Sequence, residues 1–189
     1  MFILASQSPR RRELLSMLGL KFEIQTADID ETMDPSLPVE EAVAQVCLKK
    51  ARCVGEQNPG RLVVAADTIV VVDEKKLGKP QSPTQAKQML RLLSGREHRV
   101  MTGFCLWQDG RWETHVETTK MRFRQLCDEE IDAYVVTGSP MDKAGAYGIQ
   151  DQAAIFVQSL EGDYYNVMGL PLCALTRRLR AWGVEVLGA

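Results

Sequence analysis

The stretch Arg61–Leu77, RLVVAADTIVVVDEKKL, is the strongest strand signal in the chain. Two apolar runs enclose Asp67 and Thr68, which predicts a strand buried on both faces. An unpaired carboxylate in such a strand would cost on the order of several kcal/mol. Two interpretations of Asp67 therefore stay open. It is either a structural acid that pairs with a lysine or caps a turn, or a metal ligand or general base at the C-terminal end of a strand, where open α/β sheets bind ligands.

Helical and strand signals alternate on both sides of this stretch. A short apolar strand, FILA, precedes it, and a helix with apolar residues at helical spacing is expected from Pro38 to Val54. A second helix begins at a capping box of Ser82 and Gln85, and a hairpin is expected to turn at Asp109–Gly110. The pattern predicts an α/β fold with a mixed, partly antiparallel sheet flanked by helices, in a single domain over residues 1–189.

Composition excludes several classes of protein. The chain of 189 residues carries a formal net charge of -2, which argues against a general nucleic-acid binder. Its five cysteines are scattered and odd in number, and it has two histidines, so neither a disulfide framework nor a Cys/His zinc site is expected. We expect the cysteines to be small buried hydrophobes in a reducing cytosol. With no signal peptide and no membrane-length apolar run, a cytoplasmic protein is expected.

The stretch Ser6–Leu14, SQSPRRREL, places three arginines at the start of a predicted helix. Pro9 suits the first helical position, and Ser8 is a good cap before it. Cations at this end oppose the helix dipole, so the arginines indicate that an anion binds there. Helical spacing puts Arg10 and Arg11 over the core-facing edge and Arg12 toward solvent, although a run of arginines is more often a solvated face.

Other acids and lysines are spread along the chain in short groups. An anion-binding helix end together with separate acids and lysines is what a metal-bound polyphosphate requires. None of these groups is specific alone, and the Gly-rich loop after Asp142 is equally well explained as a turn-rich connection. Lys79 follows the central strand across a short turn and is expected to return near Asp67. The groups are Asp28, Asp30 and Glu31; Lys49 and Lys50; Lys79; and Asp142 with Lys143.

Six ordered blocks of sequence resemble the Maf family of nucleoside triphosphate pyrophosphatases. They are LASQSPRRRELL, AADTIVV, GKP, LSGREHRVMTG, DKAGAYGIQ and NVMGLPL, and the resemblance runs from Phe2 to about Arg178. It implies an ITPase-like α/β fold with two lobes around a central cleft. It also implies a hydrolase of acid anhydrides that cleaves surplus or non-canonical nucleoside triphosphates to the monophosphate and pyrophosphate, with Mg²⁺ or Mn²⁺. A homodimer is a further expectation from the resemblance.

The resemblance also implies roles for individual residues. Asp67 corresponds to the proton acceptor, with Lys50 and Lys79 as further catalytic residues. Glu31 and Asp67 correspond to the acids that hold the metal. The substrate-binding positions are Ser8, Arg10, Arg11, Thr68 and Gln150.

The loop DKAGAYGIQ resembles that of the dTTP/UTP-directed members, and the amide of Gln150 suits the imide edge of thymine or uracil. Two departures stand out: Gln7 replaces a small residue, and QDQAA replaces a more glycine-rich stretch. Three alternatives remain: a pyrophosphatase for 7-methyl-GTP or another modified purine, a nucleotide sensor in cell-division control that does not hydrolyse, and an Asp67 that mainly holds metal.

Overall fold

The structure, a computed structural model, describes residues 1–188. Helices and strands alternate along most of it, with one long hairpin near the middle. Short 3₁₀ turns cover Ser139–Asp142, Ala144–Ala146 and Gln152–Phe156. The elements are β1 (Phe2–Ala5), α1 (Pro9–Met17), β2 (Phe22–Ile24), α2 (Val39–Gly55), β3 (Val63–Val72), β4 (Lys75–Leu77), α3 (Pro83–Leu93), β5 (Glu97–Gln108), β6 (Arg111–Phe123), α4 (Asp128–Val136), β7 (Val157–Glu161), α5 (Tyr164–Met168) and α6 (Leu172–Ala181).

The strands form one seven-stranded sheet in the order β2-β1-β3-β5-β6-β7, with β4 paired to β3. Strand β1 is parallel to both β2 and β3, whereas the β3–β4 and β6–β7 pairs are antiparallel. The predicted mixed α/β sheet is therefore confirmed. The two-lobed cleft and the single domain over residues 1–189 stay predictions.

The chain contacts divide it into two compact units. The first unit contains Met1–Asp67, Thr102–Glu117 and the residues from Gly169 on, and the second contains Thr68–Met101 and Thr118–Met168. The core of the first unit includes β1, the first half of β3 and the apolar face of α2. In α2, Val43, Cys47 and Val54 are fully buried.

The core of the second unit lies around α3 and the second half of β3. Leu90 and Leu93 of α3 pack with Val70 and Val72 of β3 and with Phe123 of β6. Glycine permits one close approach here. Gly145 has a φ of +67°, and a Cβ at this position would lie 2.8 Å from a methyl group of Val70.

Local sequence signals predict several elements correctly. Helix α3 has Ser82 at its N-cap, where the hydroxyl accepts a hydrogen bond from the Gln85 N–H, as the capping box predicts. The hairpin turns at Asp109 and Gly110, which have φ values of 49° and 82°. These positive values are typical of the two-residue turns that match strand twist.

Other local expectations are wrong. Ser8 occupies the N-cap position of α1 but makes no side-chain cap, and Asp128 is the first residue of α4, with Cys127 at the cap. All five cysteines are free thiols, but Cys127 and Cys173 are exposed, so burial does not explain every cysteine.

Residues 1–188 contain no helix with both the length and the apolar character needed to cross a membrane.

Candidate active site

Lys50 lies between two carboxylates in the first unit. Its Nζ is 2.8 Å from Oδ1 of Asp67 and 2.9 Å from Oε2 of Glu31. The exposed fractions of the side chains are 8% for Lys50, 16% for Asp67 and 55% for Glu31. We call these three residues the acid–lysine cluster. Because Lys50 is buried and Glu31 is exposed to solvent, a ligand can reach the carboxylates from the Glu31 side.

Helix α2 carries Lys50 into the first unit on its apolar face. Lys50 follows Val43 and Cys47 and precedes Val54 at spacings of three and four residues, so all four side chains share one face. This face packs closely against Gly103 of β5, where an added Cβ would lie 2.6 Å from a methyl group of Val43 and 3.1 Å from Sγ of Cys47. Burial raises the pKa of the Cys47 thiol, which is therefore protonated at neutral pH.

Asp67 is the fifth residue of the ten-residue strand β3, so its predicted position at the end of a strand is wrong. The neighbouring strand β1 ends at Ala5, which is opposite Ala65. Asp67 therefore lies two residues beyond the end of its parallel neighbour, and its carboxylate reaches Lys50 there. Asp67 does pair with a lysine, as expected of a structural acid. The ammonium of this lysine, however, also binds a second carboxylate, that of Glu31.

Arg11 is a buried guanidinium that holds main-chain carbonyl groups. Its Nη1 donates to the carbonyl of Ala66 at 2.7 Å and to Oγ of Ser6 at 3.3 Å, and its Nε donates to the carbonyl of Gly169 at 2.8 Å. Burial lowers the pKa of Arg11, while the Asp67 carboxylate acts in the opposite direction. Arg11 thus fixes the backbone immediately before Asp67.

Ser6, between β1 and α1, connects this guanidinium to the start of α1. Oγ of Ser6 accepts the Ser8 N–H at 3.1 Å in addition to the Arg11 bond. Ser8 and Arg10 are partly exposed, and Arg12 is exposed as predicted. Ser8 and Arg10 lie in the same compact unit as the acid–lysine cluster, and both are accessible to solvent.

The remaining predicted site residues belong to the second unit. Thr68 follows Asp67 in β3 and is partly exposed. Lys79 is exposed in the segment between β4 and α3, and Gln150 is exposed in the loop before β7. The structure thus brings Asp67 and Glu31 into contact with Lys50. A joint role of Lys79 and Gln150 with these residues stays a prediction.

The acid–lysine cluster fits the metal that the sequence predicts. No group of three or more His, Cys, Asp or Glu side chains within residues 1–188 is arranged to hold a metal ion. Mg²⁺, however, commonly binds one or two carboxylates and takes its other ligands from water and substrate phosphates. Asp67 and Glu31 converge on one cation already, the Lys50 ammonium, and carboxylate oxygens are the donors that a hard divalent ion prefers.

Two features of this site are not evident in the sequence. The Ser6 hydroxyl and the carbonyl of Gly169 were not predicted to take part, and both are bound by Arg11. The position of Lys50 could be predicted from the helical spacing, because of the two lysines in α2 it is Lys50 that lies on the apolar face, whereas Lys49 is exposed. Of the acidic loop, Glu31 contacts Lys50, while Oδ1 of Asp30 accepts the Thr32 N–H.

Comparisons of the sequence with known proteins find a matching family and close relatives. The family model described as Maf-like protein matches residues 1–182. Curated dTTP/UTP pyrophosphatases of Bacillus cereus (strain AH820) and Bacillus anthracis are each 45% identical over 184 residues, which covers 97% of this chain and 96% of theirs.

A solved structure shares the fold. The Staphylococcus aureus Ham1 protein aligns with a TM-score of 0.54 over 96% of this chain and 98% of its own. The two sequences are 11% identical, so the likeness concerns the fold alone. It agrees with the ITPase-like α/β fold that the sequence predicts.

Proposed function

The chain belongs to the Maf-like protein family, and from this membership we propose that it hydrolyses dTTP and UTP to the monophosphate and pyrophosphate. Such an activity removes surplus or modified pyrimidine nucleotides from the nucleotide pool. The curated relatives cover almost the whole chain and are named for this activity. The observation that carries the proposal is the contact of both Asp67 and Glu31 with the buried ammonium of Lys50.

The triphosphate needs cations and hydrogen-bond donors around it. Arg10 and Ser8, both partly exposed, supply these in the first unit, and Lys79 supplies an exposed ammonium in the second. Guanidinium groups bind phosphate oxygens through paired N–H donors, so Arg10 suits this task. Arg11 adds its charge while its Nη1 holds the carbonyl of Ala66, next to Asp67 in the chain, and its Nε holds that of Gly169.

In the proposed reaction, Asp67 accepts a proton from a water molecule that attacks the α-phosphorus. A bond forms between the water oxygen and the α-phosphorus, and the bond from that phosphorus to the oxygen bridging the α- and β-phosphates breaks. Pyrophosphate leaves with the bonding electrons, and the monophosphate keeps the water oxygen. Lys50 positions the Asp67 carboxylate and offsets negative charge nearby. Positioning and charge stabilisation supply most of the catalysis in phosphoryl transfer.

A divalent ion, Mg²⁺ or Mn²⁺, would be held by Glu31 and Asp67. When bound, it would offset the negative charge of the triphosphate. Glu31 is the more exposed of the two acids, so its side chain can move away from Lys50 toward an arriving ion with little cost in packing.

Base selectivity is proposed to rest on Gln150 and Thr68. An amide offers one donor and one acceptor, which match the imide edge of thymine and uracil. A site that is built to hydrogen-bond a substrate discriminates strongly against analogues that leave its polar groups unpaired.

The test is a nucleotide panel with purified protein and Mg²⁺. We expect dTTP and UTP to give monophosphate and pyrophosphate, with lower kcat/KM for dCTP and 7-methyl-GTP. Preference for 7-methyl-GTP would favour the modified-purine alternative. Nucleotide binding without release of pyrophosphate would favour a sensor and contradict the proposal.

A further inference from the structure

Gln150 is an exposed side chain in a loop that is fixed on both sides. The preceding residues Gly148 and Ile149 are buried, and the following residue, Asp151, is held by several hydrogen bonds. We propose that Asp151 is a positioning residue that orients the Gln150 amide and so sets the preference for the pyrimidine base. This inference rests on the proposed function and extends it to a residue that does not itself contact the nucleotide.

The Asp151 carboxylate is fixed by groups from three neighbouring segments. Oδ2 accepts the Ser139 hydroxyl at 2.7 Å, and both oxygens lie 3.1 Å from the Tyr134 hydroxyl. Oδ1 also accepts the Ala153 N–H at 2.9 Å, and Nζ of Lys143 lies 3.6 Å from Oδ2. Bonds to a charged acceptor are stronger than neutral ones, so this side chain anchors the loop.

Lys143 is a second charged group in the network that holds the Asp151 carboxylate. Its side chain is 12% exposed, and its Nζ donates to the carbonyl of Ser139 at 2.6 Å. A Cβ at Gly148 would lie 2.7 Å from both Cε of Lys143 and Oδ2 of Asp151. The lysine stem and the carboxylate therefore pack directly against the glycine that precedes the Gln150 turn.

The main chain of the turn is tied to the same groups. The Gly148 N–H donates to the Tyr134 hydroxyl at 3.3 Å, and the Asp151 N–H donates to the carbonyl of Gly148 at 3.3 Å. Burial raises the pKa of Tyr134, so its hydroxyl keeps the proton that it shares with Asp151. Gln150 thus projects from a short turn whose two ends are bound to one polar network.

A fixed turn matters because an amide recognises an imide only in one orientation. A mobile Gln150 exchanges its donor and acceptor positions, and it then pairs with cytosine as readily as with thymine. Orientation by Asp151 acts alike on bound substrate and transition state. Its loss is therefore expected mainly in KM, with kcat nearly unchanged.

The experiment is a double-mutant cycle of Gln150→Ala and Asp151→Ala in the full chain. The readout is the ratio of kcat/KM for dTTP to that for dCTP. We expect Asp151→Ala to lower this ratio about tenfold, the size expected for loss of one aligned hydrogen bond to the base. If Asp151 acts through Gln150, Asp151→Ala should not lower the ratio further when Gln150 is already alanine.

Two further variants separate positioning from general damage. Asp151→Asn keeps an oxygen acceptor for Ser139 and Tyr134, so it should retain most of the dTTP preference. Asp132→Ala is the matched control, because it removes an acid of the same unit that pairs with Lys87. It should leave the ratio unchanged.

The outcomes are distinguishable. If the wild-type chain hydrolyses dTTP but Asp151→Ala leaves the ratio within twofold, this inference fails and the proposed function stands. Equal losses with and without Gln150 would likewise reduce Asp151 to a structural role. A wild-type chain that releases no pyrophosphate from any nucleotide contradicts the proposed function and this role with it.

Discussion

Arg11 explains at the scale of one residue why cations occupy the start of α1. An arginine near a helix N-terminus opposes the helix dipole, by about 0.3–1 kcal/mol in exposed positions. Arg11 offsets this cost because it satisfies the carbonyl groups of Ala66 and Gly169, which lie 55 and 158 residues away in sequence. The charge pattern predicts that Arg11 faces inward, but these partners could not be predicted because no local pattern encodes distant main-chain contacts.

We predict that Arg11→Lys lowers the free energy of unfolding by about 1–3 kcal/mol, the cost of leaving buried carbonyl groups unpaired. An ammonium cannot reproduce the forked contacts of the guanidinium. Urea unfolding of the two proteins measures the difference. Arg12→Lys is the control, since Arg12 is exposed and its change should stay within about 0.5 kcal/mol. Equal stability of the two variants would show that the Arg11 contacts are dispensable.

Elements with strong local signals could be predicted, and elements that depend on distant partners could not. Helices α2 and α3 follow their apolar spacing, and the hairpin follows Asp109–Gly110. The apolar run from Ala154 to Val157 has the composition of a strand, but the residues up to Phe156 form a 3₁₀ turn and β7 begins only at Val157. Asp151 caps the turn by accepting the Ala153 N–H, and this keeps the first residues out of the sheet.

Strand β6 is linked to α5 and to the residue just before it by one buried hydroxyl, that of Thr119. Its Oγ1 donates to the carbonyl of Asp163 and accepts bonds from the Asp163 N–H and from Nδ2 of Asn166. One donor and two acceptor positions are the full capacity of a hydroxyl. Asn166 in turn donates to the carbonyl of Val100, so β5 joins the same network.

Thr119→Val keeps the shape of this side chain and removes all three bonds. We predict a loss of about 1–3 kcal/mol in the free energy of unfolding, because the Asn166 amide left behind is buried. Chemical denaturation provides the measurement. The adjacent Thr118→Val is the matched control, because Thr118 is exposed on the same strand. A Thr119→Val variant as stable as its control would refute this role.

Stability of the whole molecule should depend on pH through His98. The imidazole is buried, its Nε2 lies 2.8 Å from the Tyr147 hydroxyl, and burial lowers the pKa of His98 to about 4. The unfolded chain has the ordinary value near 6.5 and binds a proton more readily. The stability that neutral His98 contributes is therefore present above pH 6.5 and is lost as pH falls toward 4.

For the wild-type protein, this linkage predicts a fall of about 2 kcal/mol in unfolding free energy between pH 7 and pH 5 from His98 alone. His98→Gln removes the titrating group and should flatten the curve by that amount. His115→Gln retains His98 and should keep the wild-type fall. Parallel curves for the wild type and His98→Gln would contradict the assignment.

The central claim is that Asp67, held by Lys50 and positioned beside Glu31, performs the proton transfer of nucleoside triphosphate hydrolysis. The most direct test is the turnover of Asp67→Asn with dTTP and Mg²⁺, because asparagine keeps the shape and an oxygen acceptor for Lys50. We predict a loss on the order of a hundredfold or more in kcat with unfolding free energy near that of wild type. Asp73→Asn, which alters an exposed acid after β3, should keep full activity. A folded Asp67→Asn protein that turns over dTTP at close to the wild-type rate would contradict the claim.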